Sequence, residues 1–468
     1  MNHLQIIFKQ MRQRALSTWL TLLSVALGVG LAIAVLLAQR HAHALFGQND
    51  FGFDILIGPK GSPLQLSLNT IYHLDKPPGT ISYSVYEKLI RGGPWFGLSR
   101  TAIPLAVGDN YEGFTIIGTV PKLFGGDDDG KVNPDGGGAQ EYRVGKRYTL
   151  ASGTCFHLRR FEAVVGSDIA ARKQAGHGGL KIGDTFHATH GMGNQEGPPD
   201  IHPEIWTVVG VLAPTHTAAD RSIYIPLVSF YAIQEHEAGL EHIAAVQAAE
   251  SRTTLPAPSP PPPASTQEEE PYTLAPDGTI TLRVPKEEWQ ISAILVKSRS
   301  GLTALALVDQ VNKGTQASAV NPASVMGDFF RTFLTPFTRL FLLISLLVTL
   351  LATIGILVSI YNAVSARRRE IAILRALGAT RTRILLLVSL EAGWIGLLGG
   401  LTGLVLGHLL AAAGSAYLER IMGQGIPWRA FSAEELLYVA AATVLAFLAG
   451  LAPALLAYRT PVAENLTE

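Results

Sequence analysis

Val364–Ile384, VSARRREIAILRALGATRTRI, carries six arginines and one glutamate and lies between two long apolar runs. A cationic, amphipathic segment between two runs long enough to cross a bilayer sits at the water interface, on the side where basic loops are retained. Ser365–Leu377 reads as one helix, with Ile371, Leu374 and Leu377 on an apolar side and Arg368 and Arg375 toward the polar side. Gly378 suits the position after a helix end, and Thr380 suits the cap of the next helix. The arginine count alone is what any topology anchor shows. An ordered helix–Gly–Thr turn with an apolar face is more than an anchor needs.

Working outward, the apolar runs are Leu16–Ala38, Leu340–Ala363, Ile384–Tyr417 and Leu436–Tyr458. The first has about 23 residues, enough for a hydrocarbon core of about 30 Å. Ala42-His43-Ala44 resembles a signal-peptidase site, but the run before it exceeds the roughly 7–15 residues of a signal core, which favours an uncleaved anchor. Lys9, Arg12 and Arg14 precede the run without an acid, which places that end inside. Arg367, Arg368, Arg369, Arg375, Arg381 and Arg383 against Glu370 place the second loop inside too. Arg420 and Arg429, offset by Glu419 and Glu434, suit an outside loop, and Arg459 follows the last run inside. The long segment after the first run is then extracytoplasmic. Gly393, Gly396, Gly399, Gly400, Gly403 and Gly407 allow close helix contact in the third run, and Pro336 is placed to kink the lead into the second.

Acidic and basic residues balance at 37 each, so net charge gives no reason to expect a nucleic-acid partner. With 48% hydrophobic and 16% charged residues, the 468-residue chain has the profile of a membrane protein with a substantial water-soluble part. The single cysteine, Cys155, excludes an internal disulfide. The soluble part reads as short strands: DILIG at Asp54–Gly58, EGFTIIGTV at Glu112–Val120, WTVVGVL at Trp206–Leu212, SIYIPL at Ser222–Leu227 and ISAILVK at Ile291–Lys297. FEAVVGSDIAARK at Phe161–Lys173 reads as strand, Gly-Ser turn and helix, and LKIGDTF at Leu180–Phe186 as a Gly-Asp turn into a strand. Ser84 is a candidate cap for a helix over Val85–Ile90. Gly58–Leu74 reads as turns followed by an apolar stripe of Leu64, Leu66, Leu68 and Ile71, suited to a membrane surface, a dimer cavity or packing within the domain. Gly125–Gly138 is expected to be a mobile loop, and the proline-rich, acidic stretch within 255–278 a disordered insert.

ARRREIAILRALGATRTRI is similar to the cytoplasmic coupling segment of FtsX/MacB-type ABC transporter permeases, the group that includes LolC and LolE. FKQMRQRALSTWLTLLSVALGVG at Phe8–Gly30, the strand series above, and LAPALLAYRTPVAENL at Leu451–Leu466 resemble the same family in register with the topology. The resemblance implies a membrane α-helical fold of four transmembrane helices, with a large α+β extracytoplasmic domain between helices one and two. The expected division is a cytoplasmic segment 1–15, helix one 16–39, a MacB-like core domain 40–330 and helix two 331–363. The coupling segment 364–383, helix three 384–417, an outside loop 418–434, helix four 435–458 and a cytoplasmic tail 459–468 follow.

The resemblance further implies a dimer, either homodimeric or heterodimeric with a second permease, in a bacterial inner membrane. A separate LolD/MacB-like ATPase carries ATP and Mg²⁺, and a periplasmic adaptor or lipoprotein is an implied partner. By match to the motif, Arg367, Arg368, Glu370, Leu374, Arg375 and Gly378 are the coupling positions. The cargo is then a lipoprotein, peptide or hydrophobic compound. FtsX-like regulation of an extracytoplasmic protein and a zinc-linked transport role are the alternatives.

GGDDDGKV at Gly125–Val132 approaches a phosphate-binding loop but lacks the closing Ser/Thr, and three aspartates would repel phosphate. No spacing supports an enzyme site. Most of the 13 histidines fall in the extracytoplasmic part, and His187, His190 and His202 are of a type that suits zinc, without a specific signature. Scattered surface histidines are the competing reading.

Overall fold

The computed structural model describes residues 12, 15–46, 50–74, 76–132, 138–171, 173–174, 177–191, 201–233, 271–376, 378–422 and 426–459. The chain forms two compact units, residues 1–47 with 329–468, and residues 48–328.

The first unit is a helical bundle. Its long helices are α1 (Ala15–Phe46), α5 (Thr335–Ala366), α7 (Arg381–Met422) and α8 (Ala433–Arg459), with the short α6 (Arg368–Ala376) between α5 and α7. All four long helices are apolar and long enough to cross a membrane. Their contacts run α5–α1–α7–α8, with α8 returning to α5. The helix that carries the second apolar run extends from Pro322 to Ala366, beyond the expected 331–363. In place of a simple kink, a π-helical turn at Phe330–Leu334 precedes Pro336. Proline has no N–H to give to the Thr332 carbonyl and its ring crowds that oxygen, so the wider turn absorbs the misfit.

Glycines set the helix spacing in this unit. Gly399, Gly403 and Gly407, four apart, face α1: a Cβ on each would lie 2.8 Å from Val25 Cβ, the Ala26 carbonyl oxygen and Ile33 Cβ, respectively. Gly396 and Gly400 face α8 at Ala446 and Val439. Two lipid-compatible helices have no hydrophobic reason to associate in hydrocarbon, so close backbone approach supplies dispersion contacts instead. Ser345 adds a hydrogen bond to the Gly28 carbonyl at 2.8 Å.

The second unit is built on a ten-stranded sheet: β1 (Ile55–Gly58), β2 (Ser99–Tyr111), β3 (Phe114–Thr119), β4 (Leu150–Gly153), β5 (Glu162–Val165), β6 (Thr185–His190), β7 (Ile201–Leu212), β8 (Ser222–Pro226), β9 (Ala293–Ser298) and β10 (Ser318–Val320). The strand order is β6–β7–β5–β8–β3–β2–β9–β1–β10, with β4 on β7. Pairs β7–β5 and β8–β3 are parallel and the others antiparallel. An extra pairing, His190 opposite Asp109 and Thr189 opposite Asn110, joins β6 to the far end of β2. Six strands thereby close into a ring, which removes two edges that would otherwise expose unpaired backbone. Along β7, alternate residues His202, Glu204, Trp206, Val208 and Leu212 are buried, the two-residue period of a strand with one face inward. Trp206 anchors that interior, with its indole N–H donating to Ser229 Oγ at 3.1 Å.

Several local expectations are corrected. Ser84 lies inside α3 (Ser84–Glu87), whose N-cap is Tyr83 with no side-chain cap bond, and the longer α4 (Gly301–Lys313) is capped by Ser300 instead. The Gly58–Leu74 stripe is the helix α2 (Pro63–Tyr72), capped by Ser62, which accepts from Gln65 N at 3.2 Å. Pro63 sits in its first turn, where a missing N–H costs nothing. Leu66 of α2 packs against the Cα of Gly58, so this stretch is a packing segment of its own unit.

The part of the expected mobile loop up to Val132 is held by a bridge between Gly126 and Val132. Asp127 Oδ1 accepts from Asp129 N at 3.1 Å and Lys131 N at 2.8 Å, so a carboxylate already holds N–H groups that a phosphate would need. Cys155 is buried and its thiol is pushed up to about 12 by burial. Most of the proline-rich insert lies outside the described residues. Its last part is ordered, with Tyr272–Leu274 pairing with Ile280–Leu282 as a hairpin.

Candidate functional site

The segment Val364–Ile384 becomes a short helix bracketed by two chain breaks. Arg367 leaves helical geometry at φ −111°, ψ 18° and ends α5, with its N–H donating to the Val364 carbonyl at 3.2 Å. Its own carbonyl accepts from Ile371 N at 3.0 Å, which starts α6 in a new direction. At the other end Gly378 adopts φ +100°, a left-handed conformation open to glycine without penalty. Thr380 Oγ1 then accepts from Arg383 N at 3.3 Å and caps α7.

Helix α6 packs through Ile371 and Ala372, both buried in the bundle core. Its Ile373 is 43% exposed, an apolar side chain turned away from that core. Arg367 stands at the break, Arg368, Glu370, Leu374 and Arg375 lie on α6, and Gly378 is the left-handed residue after it. The side chains of Arg368, Glu370 and Leu374, and all of Leu377, lie outside the described part. Helix α6 is thus held by an apolar edge and bounded at both ends by turns, at Arg367 and Gly378.

A second cluster in this unit escapes sequence reading. His408 of α7 lies 2.9 Å from Glu435 Oε2 of α8 through Nε2, and its Nδ1 contacts the Trp428 carbonyl. Ser432 Oγ donates to Glu435 Oε1 at 3.0 Å. Arg40 of α1 reaches Glu434 at 2.9 Å and Glu435 at 3.9 Å. Both imidazole nitrogens face oxygen atoms, one of a carboxyl group and one of a backbone carbonyl. The cluster ties α1, α7 and α8 together where Glu435 is fully buried. The available signal was His408 within an apolar run, since an ionisable residue inside a span needs a partner. The partners at 40 and 435 are too distant in sequence to pair by spacing.

In the sheet unit the three candidate zinc ligands do not converge. His187 and His190 are three apart on β6, so the strand period puts them on opposite faces. His187 is exposed and its Nδ1 lies 3.0 Å from the His202 carbonyl oxygen. His190 and His202 instead meet Asp109 of β2: His202 Nε2 is 3.4 Å and His190 Nδ1 3.6 Å from Asp109 Oδ1. One ligand atom from each of these three residues lies within 4.8 Å of the others. Asp109 thus takes the place expected for His187. The sequence offered no sign of it, because the β2–β6 pairing spans about 80 residues of chain.

Comparison with known proteins bears on the helical unit. Residues 342–462 match the FtsX-like permease C-terminal family, a stretch that takes in α6 and three of the four long helices. An uncharacterized ABC transporter permease of Methanocaldococcus jannaschii is 48% identical over 58 residues, 12% of this chain and 14% of that relative. The chain therefore spans well under two thirds of that relative's length. Within residues 342–462, with its helix–break–helix element between apolar helices, the chain is similar to the C-terminal domain of FtsX-like permeases.

Proposed function

We propose that the chain is the permease subunit of an ABC transporter whose ATPase is a separate protein that docks on α6. The observation that carries this reading is the doubly bracketed α6, with exposed Ile373 and flanking arginines, inside the matched FtsX-like domain. ATPase closure would displace α6 and, through the turns at Arg367 and Gly378, the helices α5 and α7. The soluble unit is inserted in the chain between α1 and α5, so motion of these helices reaches it along the backbone. The work done there would be extraction or export of a lipoprotein, peptide or hydrophobic compound by a dimeric permease. In this reading the soluble unit faces the extracytoplasmic side of a cytoplasmic membrane. Arg367, Arg368, Glu370, Leu374, Arg375 and Gly378 are the proposed coupling positions.

The test is co-purification of the detergent-extracted chain with its cognate ATPase, together with ATPase stimulation. The double variant Glu370→Lys, Leu374→Asp is expected to lose both while keeping insertion and thermal stability. Undiminished stimulation in that variant would refute the assignment.

A further inference from the structure

We propose that Asp109, His190 and His202 form a binding site for a divalent transition-metal cation of the zinc type. The donor set is one carboxylate and two imidazoles, which suits borderline cations and disfavours calcium and magnesium, whose ligands are oxygens. The spacing also fits. A tetrahedral ion with bonds of about 2.0–2.1 Å has ligand–ligand edges of about 3.4 Å. The two edges from Asp109 Oδ1 measure 3.4 Å and 3.6 Å, long for charge-assisted hydrogen bonds and right for two ligands around one ion. The third edge lies within 4.8 Å, and rotation of the His190 side chain, which is 47% exposed, can adjust it.

The backbone aims these side chains. In the β2–β3 pair the register slips between Val107 and Asp109, and in the β6–β7 pair between His187 and Thr189. Bulges re-aim side chains, and these two fall on either side of one point on the ring. The point is pinned by Gly191 N donating to the Gly108 carbonyl at 3.0 Å and by Asn110 Nδ2 donating to the Gly191 carbonyl at 2.8 Å. The imidazole of His202 is 2% exposed and the Asp109 carboxylate 0%. His190 reaches solvent, which gives the ion a path in and leaves a coordination position open to water or a cargo group.

The site does not depend on the permease reading and is tested without the ATPase. The full-length chain in detergent is titrated with Zn²⁺ against a competing indicator. The expected result is one equivalent bound at micromolar affinity or tighter. His190→Ala, at an exposed position that leaves folding intact, should weaken that equivalent at least about 100-fold, and Asp109→Asn should do the same. His190→Cys, which restores a ligand, should recover it, and His187→Ala, on the opposite strand face, should leave it unchanged. Identical isotherms for the wild type and His190→Ala would overturn the proposal. Equal loss in His187→Ala and His190→Ala would also overturn it, since the ion would then sit elsewhere.

Discussion

The two units solve the same packing problem by opposite means. In the sheet unit, large side chains fill space: Trp206, Phe186 and Phe161 pack ring against ring inside or beside the closed strands. In the helical unit side chains are withdrawn, and Gly399, Gly403 and Gly407 let α7 approach α1 almost backbone to backbone. Water drives the first kind of core, because apolar area removed from water is worth about 25 cal/mol per Å². It cannot drive the second, where the alternative to helix contact is lipid contact. One unit should therefore fail when volume is removed and the other when volume is added.

The sharpest break of that contrast is Trp206→Ala, expected to destabilise the sheet unit by about 3–5 kcal/mol through an unfilled interior. Thermal unfolding followed by near-UV circular dichroism measures it, and a loss below about 1 kcal/mol would contradict the filled-core description. Gly403→Leu is the mirror experiment. Its new side chain meets the Ala26 carbonyl and Val29, so a loss of about 3 kcal/mol or failure to assemble is expected, read from the detergent melting midpoint.

Acid sensitivity should distinguish the units next. Burial pushes His73 of the sheet unit down to about 4, against a weaker opposing hydrogen bond to the Ala218 carbonyl. The unfolded chain then binds more protons than the folded one between about pH 6.5 and 4, so stability falls as pH drops through that window. The loss is at most about 3 kcal/mol, reduced by the share of the residue that reaches water. His73→Gln should flatten the pH dependence of the melting midpoint across that window, and an unchanged slope would rule His73 out as its source.

In the helical unit, Glu435→Gln keeps the shape of the His408 cluster and replaces one carboxyl oxygen with an amide, with an expected cost of about 2 kcal/mol. Leu351→Ala completes the comparison at the small end. This side chain is 68% exposed on α5, so in detergent its truncation should cost less than about 0.5 kcal/mol.

The legibility of the two units differed for the same reason. Apolar runs are a local signal, so the four long helices could be read from windows of about 20 residues. The break at Arg367 and the turn at Gly378 were half legible: the glycine announced itself, while the arginine that ends α5 had no such mark. In the sheet unit, the strands Glu162–Val165, Trp206–Leu212 and Ser222–Pro226 were visible as β-branched stretches. Their order was not, because strand pairing depends on contacts far apart in the chain.

What the sequence by itself determined is the set of apolar spans, the basic segment between the second and third, and the family resemblance carried by that segment. Each depends on residues within a few turns of one another, where hydrophobic length and helix punctuation act directly. Only the tertiary structure decided which polar groups meet. Closure of the β2–β6 seam replaced His187 with Asp109 beside His190 and His202, and helix packing joined Arg40, His408 and Glu435. A strand alternates its side chains between two faces and a helix turns through 100° per residue. Which face meets which neighbour is therefore settled when the whole unit closes, and no local window contains that information.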